Sequence, residues 1–173
     1  MKGGGVTIRP VGADRLAGRG RVDRAACGYV LAVAIVFGSP QAWPQQPQLP
    51  IIELSAGMHR IEAEVAATPE SRQIGMMMRT VMPPQRGMLF VFPEVAGHCM
   101  WMRNTQLPLS VAFLDDAGRI INVADMQPRS EENHCASRPA RYALEMNQGW
   151  FDQRGIKPGF RLRGIPLVSR IGL

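Results

Sequence analysis

Between residues 58 and 165 apolar residues come in short runs, and glycine, proline or a charged turn interrupts nearly every one. Runs this short do not build long helices, whereas a strand needs only a few residues. In "MHRIEAEVA", His59, Ile61, Ala63 and Val65 alternate with Arg60, Glu62 and Glu64, which predicts a half-buried strand. "MLFVF" (88–92) reads as a fully apolar strand and "HCMWMRNT" (98–105) as another. "LPLSVAFLDD" (107–116) turns through "DAG" into "RIINVADMQ" (119–127), a hairpin. "RYALEMN" (141–147) and "GFRLRGI" (159–165) complete the strands.

One clear helix is predicted over "TPESRQIGMMMR" (68–79). Thr68 suits the N-cap, Pro69 the first helical position and Glu70 the first turn. "GWFDQRG" adds a short helical turn that stops at Gly155. The expected fold is therefore mainly β: a single compact, mainly antiparallel sandwich or barrel with one or two short helices. The length of 173 residues is that of one domain.

The chain before this domain reads as a targeting segment. Residues 1–42 hold six basic and two acidic side chains, so +4 of the formal net charge of +6 lies there. Arginines precede an apolar run of about 14 residues, Ala25–Gly38, the length of a signal-peptide core and short for a bilayer span. We expect residues 1–42 to be a signal peptide or an uncleaved N-terminal anchor, with a mature start between about 39 and 46. Residues 43–50, "WPQQPQLP", read as a Pro/Gln-rich linker, and 51–173 as the folded domain. The expected location is periplasmic or secreted, or anchored to the inner membrane. Contact with the membrane is expected only through the N-terminal segment. A body of charge +2 offers no support for a nucleic-acid surface.

A scan for catalytic motifs finds no G-x-S-x-G, H-E-x-x-H, Walker or dinucleotide fingerprint, and no cofactor is expected. The residues that invite a site are five. Trp101 supplies a stacking face, Arg103 a bidentate fork and Asn104 an amide. Arg79, like Arg72 on the same helix, and Glu145, flanked by Leu144 and Met146, are the charged candidates. Each also has a plain structural reading: Asn104 and Thr105 bonding backbone at a turn, Arg103 pairing with Glu145 or a sheet-edge carboxylate. Asp115 and Asp116 read as hairpin-turn residues.

Two "HC" pairs, His98-Cys99 and His134-Cys135, allow a disulfide, a Cys2His2 metal site or free thiols. Neighbours on a strand face opposite ways, which disfavours metal, and Cys99 and Cys135 are the two cysteines left once a signal peptide is removed. We expect the disulfide and no metal. Met76, Met77, Met78, Met100 and Met102 allow a Cu(I) site, but methionine is more often a core filler.

Four segments carry a family resemblance. "TPESRQIGMMMR", "GMLFVF" (87–92), "MWMRNTQLPLSVAF" (100–113) and "YALEMNQG" (142–149) resemble, in order, the signature segments of the domain of unknown function 192 family. The resemblance implies a small secreted or membrane-anchored protein with a compact mainly-β fold and no assigned activity. Arg103 stands where the family has lysine, and Ser110 where it has aspartate. The expected role is an exported, envelope-associated, non-enzymatic binding or accessory domain, whose partner is a small ligand or an envelope protein. The alternatives are a small periplasmic enzyme with a polar site near Arg103, Asn104 and Glu145, and a copper-handling protein.

Overall fold

The structure is a computed structural model and describes residues 48–165. The expected targeting segment (1–42) and most of the linker lie outside the described residues. So do residues 166–173.

Among the described residues eight strands form two sheets. β1 (Ile51–Ala56) and β2 (His59–Ala66) make a hairpin across Gly57, at φ 63°. Then come α1 (Pro69–Ile74), β3 (Arg86–Ala96), β4 (Cys99–Met100), β5 (Leu109–Leu114), β6 (Ile120–Met126), β7 (His134–Cys135) and β8 (Ala140–Asn147). The main sheet has the order β1-β2-β3-β8-β5-β6, and β4 pairs with β7 in a separate two-stranded sheet. Among the described residues no helix is long and apolar enough to cross a membrane.

The mainly-β class is as expected, but the main sheet is open and mixed. β2 and β3 run parallel, because the chain crosses over through α1 between them. The other pairs of this sheet are antiparallel. Residues 159–165 touch both edges of the sheet, through Arg119–Arg161 and Ser55–Arg163, without closing it into a barrel. The strand expected there is reduced to these two bridges, with Gly159 and Gly164 at positive φ on either side.

The central strands are buried on both faces, which explains their continuous apolar sequences. Leu89, Val91, Leu144 and Met146 point into one core with Trp150 and Phe151. Met88, Phe90, Phe113 and Ala143 point into the other, under Met76, Met82 and Met102. β3 and β8 approach closely at Gly87, where an added Cβ would lie 2.5 Å from the backbone oxygen of Glu145. We expect Gly87→Ala to cost about 3 kcal/mol, as overpacking against backbone does, read as a lowered denaturation midpoint.

Two local expectations change. The helix spans Pro69–Ile74, shorter than 68–79, because the chain turns at Gly75 (φ 48°) and again at Met78 (φ 62°). Its start is as read: Thr68 caps it, in a reciprocal bond with Ser71. "HCMWMRNT" is a strand only at Cys99–Met100. Beyond that the backbone turns at Asn104, with φ 57°.

Candidate functional site

Along β8, Leu144 and Met146 fill the first core, so the alternation of the strand aims Glu145 at the second. There it is only 3% exposed, opposite Met88 on β3 and Val111 on β5. Its Oε2 has no hydrogen-bond partner. Burial pushes the carboxyl up to about 8, against the pull of the Arg79 charge. Glu145 is therefore mostly a neutral acid at pH 7, able to donate a proton in a hydrogen bond.

This acid lines a cleft of about 150 Å³. One wall is the end of α1 and the turn after it: Arg72, Gly75, Met76 and Met77. The other is Cys99, Met100 and Trp101, with Phe90, Phe92 and Thr105 between the two walls. Arg72 Nη1 donates to the carbonyl of Val91 at 3.0 Å and to that of Ala67. Among the described residues no carboxylate pairs with Arg72. The cleft thus combines apolar walls, one uncompensated guanidinium and one neutral acid.

The five candidate residues do not converge. Trp101 and Glu145 share the cleft, and Trp101 is 43% exposed on its wall. Arg103 lies over the Trp101 ring, 4.7 Å from its centre, and pairs with Glu131 at 3.1 Å rather than with Glu145. That pair is exposed and adds little. Arg103 and Asn104 line a neighbouring depression with Met78, Gln106, Arg129 and Glu131. Asn104 takes the turn, and its carbonyl accepts from the Met78 N–H at 2.9 Å.

Arg79 forks onto Glu64, with Nη1 2.6 Å from Oε1 and Nη2 2.7 Å from Oε2. That hydrogen bond holds the Glu64 carboxyl below its ordinary range, with burial opposing. We expect Arg79→Ala to destabilise the fold by about 2–3 kcal/mol, since it strands a carboxylate that is largely shielded from solvent. In a thermal-melt cycle, Glu64→Gln should recover part of that loss.

The remaining candidates are structural. Cys99 and Cys135 form a disulfide across the β4–β7 pair, with Cα atoms 3.9 Å apart. His98 stacks on Phe92 at 3.7 Å, and its Nε2 lies 3.0 Å from the Glu94 carbonyl. Among the described residues no three His, Cys, Asp or Glu side chains are grouped to hold a metal. Met76 and Met102 are core residues, Met77 and Met100 line the cleft, and Met78 is 63% exposed. The Ser110 hydroxyl accepts from the Gly149 N–H at 2.8 Å and donates to Asp125, its partner on β6. Thr105, read from the sequence as a possible cleft residue beside Trp101, does line the cleft, whereas sequence reasoning missed Phe90 and Phe92. Only the pairing of β3 with β8 shows which of their faces meets Glu145.

The model of the DUF192 family, described as uncharacterized ACR, matches residues 51–164. Among the solved structures similar to this chain are two proteins. One is a proposed transcription regulator from Sinorhizobium meliloti 1021: 36% identical, covering 66% of this chain and 92% of its own, TM-score 0.62. The other is a protein of unknown function from Novosphingobium aromaticivorans DSM 12444: 30% identical, covering 73% and 94%, TM-score 0.65. None of the curated proteins matches.

Proposed function

The chain belongs to the DUF192 family, and we propose that it is an exported, envelope-associated domain that binds a small ligand without transforming it. The ligand site is the cleft between the end of α1 and the Cys99–Trp101 segment. One observation carries this reading. Glu145, 3% exposed, lines that cleft, and its buried Oε2 has no hydrogen-bond partner. A buried polar atom left unpaired costs about 1–3 kcal/mol, which a bound ligand can recover.

Export is supported by the arginine-then-apolar run before Gly38, and by the disulfide, which persists in oxidising compartments. An enzyme reading has one point in its favour. A carboxyl near 8 suits a general acid. Against it, Arg103 and Asn104 line a different depression. The one hydroxyl side chain in the cleft, that of Thr105, points to the Arg103 carbonyl at 3.4 Å. The Sinorhizobium protein is described as a proposed transcription regulator; for this chain a nucleic-acid surface has little support from residues 43–173, with 14 basic and 12 acidic side chains.

Native mass spectrometry of protein purified from the cell envelope tests the proposal. The expected result is a chain starting between about residues 39 and 46, given the length of signal segments. It should carry a small molecule that is absent from Glu145→Leu. A chain purified at its bare mass whether or not Glu145 is replaced would refute the binding role. An intact N-terminus in the membrane fraction would replace the signal peptide by an anchor.

A further inference from the structure

Resting on the reading of the cleft as a ligand site, we propose that its ligand is a small carboxylic acid bearing one ring. The carboxylate sits between Arg72 and the acid group of Glu145, and the ring lies against Phe92 and Trp101. The size comes first. An apolar cavity of about 150 Å³ is enough to take benzene, and the cleft offers about 150 Å³ beside Phe90, Phe92 and Trp101. That space suits one six-membered ring and not two.

The charge comes next. Arg72 is the one charged side chain besides Glu145 among the cleft-lining residues, and no carboxylate of the described residues pairs with it. Its Nη1 is fixed by two backbone carbonyls, so the positive charge stays at the cleft when no ligand is bound. A carboxylate supplies the missing counter-charge, and its second oxygen accepts from the neutral Glu145. Acid-to-carboxylate bonds are among the stronger hydrogen bonds.

The surroundings support this choice. From β2, Glu64 faces the same side of the sheet, but Arg79 of the connecting segment forks onto it and cancels its charge. Met88 of β3 and Val111 of β5, directly opposite Glu145, carry no charge. The balance at the cleft is one positive charge as long as Glu145 keeps its proton. Once Glu145 ionises, near pH 8, that balance is gone and an anion is repelled. Binding is therefore proton-linked, and its sign identifies the ligand class: an anion leaves as pH rises, while a cation would bind better.

Calorimetric titration of the full chain with phenylacetate, phenylacetamide and benzylamine at pH 6 and pH 9 tests this, with the Trp101 indole resonance as the local readout. The expected result is phenylacetate binding at pH 6 that moves the Trp101 resonance and weakens roughly tenfold at pH 9, one proton being lost above the Glu145 pKa. Glu145→Gln, which keeps a neutral donor, should bind phenylacetate at both pH values with little difference. Tighter binding of benzylamine, or of any probe at pH 9 over pH 6, would overturn the ligand class and leave the cleft as a site. Phenylacetate binding that is indifferent to pH, or that leaves Trp101 unmoved, would also overturn it. If none of the three moves Trp101, while native mass spectrometry still shows a ligand that depends on Glu145, the class alone is wrong. If that ligand is missing too, the binding function falls with it.

Discussion

Raising the pH from 4.5 to about 8 should weaken the fold by up to ~5 kcal/mol, and Glu145→Gln should abolish that dependence. In the unfolded chain Glu145 loses its proton near its ordinary value of 4.5, whereas in the fold it keeps it to about 8. Between those values the folded state holds one more proton than the unfolded state. Each step up in pH therefore favours unfolding. The stability is fully present below 4.5 as far as this group is concerned, and it is lost as pH rises through 8. Glu64 acts in the opposite sense. Its carboxyl is lowered by Arg79, so its contribution is present above the ordinary carboxylate range and is lost in acid. The two together place the stability maximum on the acid side of neutral. Denaturant unfolding at pH 5, 7 and 9 reads the effect. A flat profile in the unsubstituted chain would show that Glu145 is not the buried neutral acid described above.

The second large effect concerns the disulfide. Replacing Cys99 and Cys135 together by serine should cost about 4 kcal/mol, from the loop-closure entropy of a cross-link. The cross-link spans a sequence separation of 36. The loss falls in one place. β4 and β7 are two residues each, and their ladder comprises the pairs Cys99–Cys135 and Met100–His134. Cys99, Met100 and Trp101 form one wall of the cleft. Without the cross-link that wall is held by the Ala136 N–H bond to the His98 carbonyl at 2.8 Å on one side, and by the core contacts of Met102 and its N–H bond to the Ser130 carbonyl at 3.2 Å on the other. The double variant should therefore unfold at lower denaturant and also exchange the amides of residues 99–101 faster. A variant within 1 kcal/mol of the parent, with those amides still protected, would mean that the disulfide does not hold the wall.

Much of this architecture is legible in the sequence because it is local. Alternation in 59–66, the cap at Thr68, the turn carboxylate of Asp115 and the stop at Gly155 each depend on a few neighbouring residues. Asp115 accepts from the Ala117 and Arg119 N–H groups in the hairpin turn as expected. The disulfide is legible from cysteine chemistry and the expectation of an oxidising compartment. The rest required pairings that one sequence does not carry. The helix read in 68–79 supplies the crossover that a parallel return needs, but nothing in 67–85 says that β3 pairs with β2. "HCMWMRNT" has the composition of a strand but no sheet neighbour beyond Met100, so the chain turns instead at Asn104. The site shows the same limit. Trp101 and Arg103 are close in sequence and in space, yet they line different depressions. Arg72 and Glu145, 73 positions apart in the sequence, line one cleft. A charged residue between two apolar ones on a strand, as in Leu144-Glu145-Met146, signals a buried or a solvated carboxylate equally well until the second core is in place.

The most direct test of the account is the carboxyl-carbon resonance of Glu145, followed from pH 4 to pH 10 in the full chain with carboxyl-labelled glutamate and assigned by its loss in Glu145→Gln. The expected result is a single titration with its midpoint about 8, shifted upward when phenylacetate is bound, because the ligand's negative charge favours the protonated acid. A midpoint near the ordinary carboxylate value of 4.5 would contradict it, since the cleft would then hold a solvated carboxylate in place of a neutral donor.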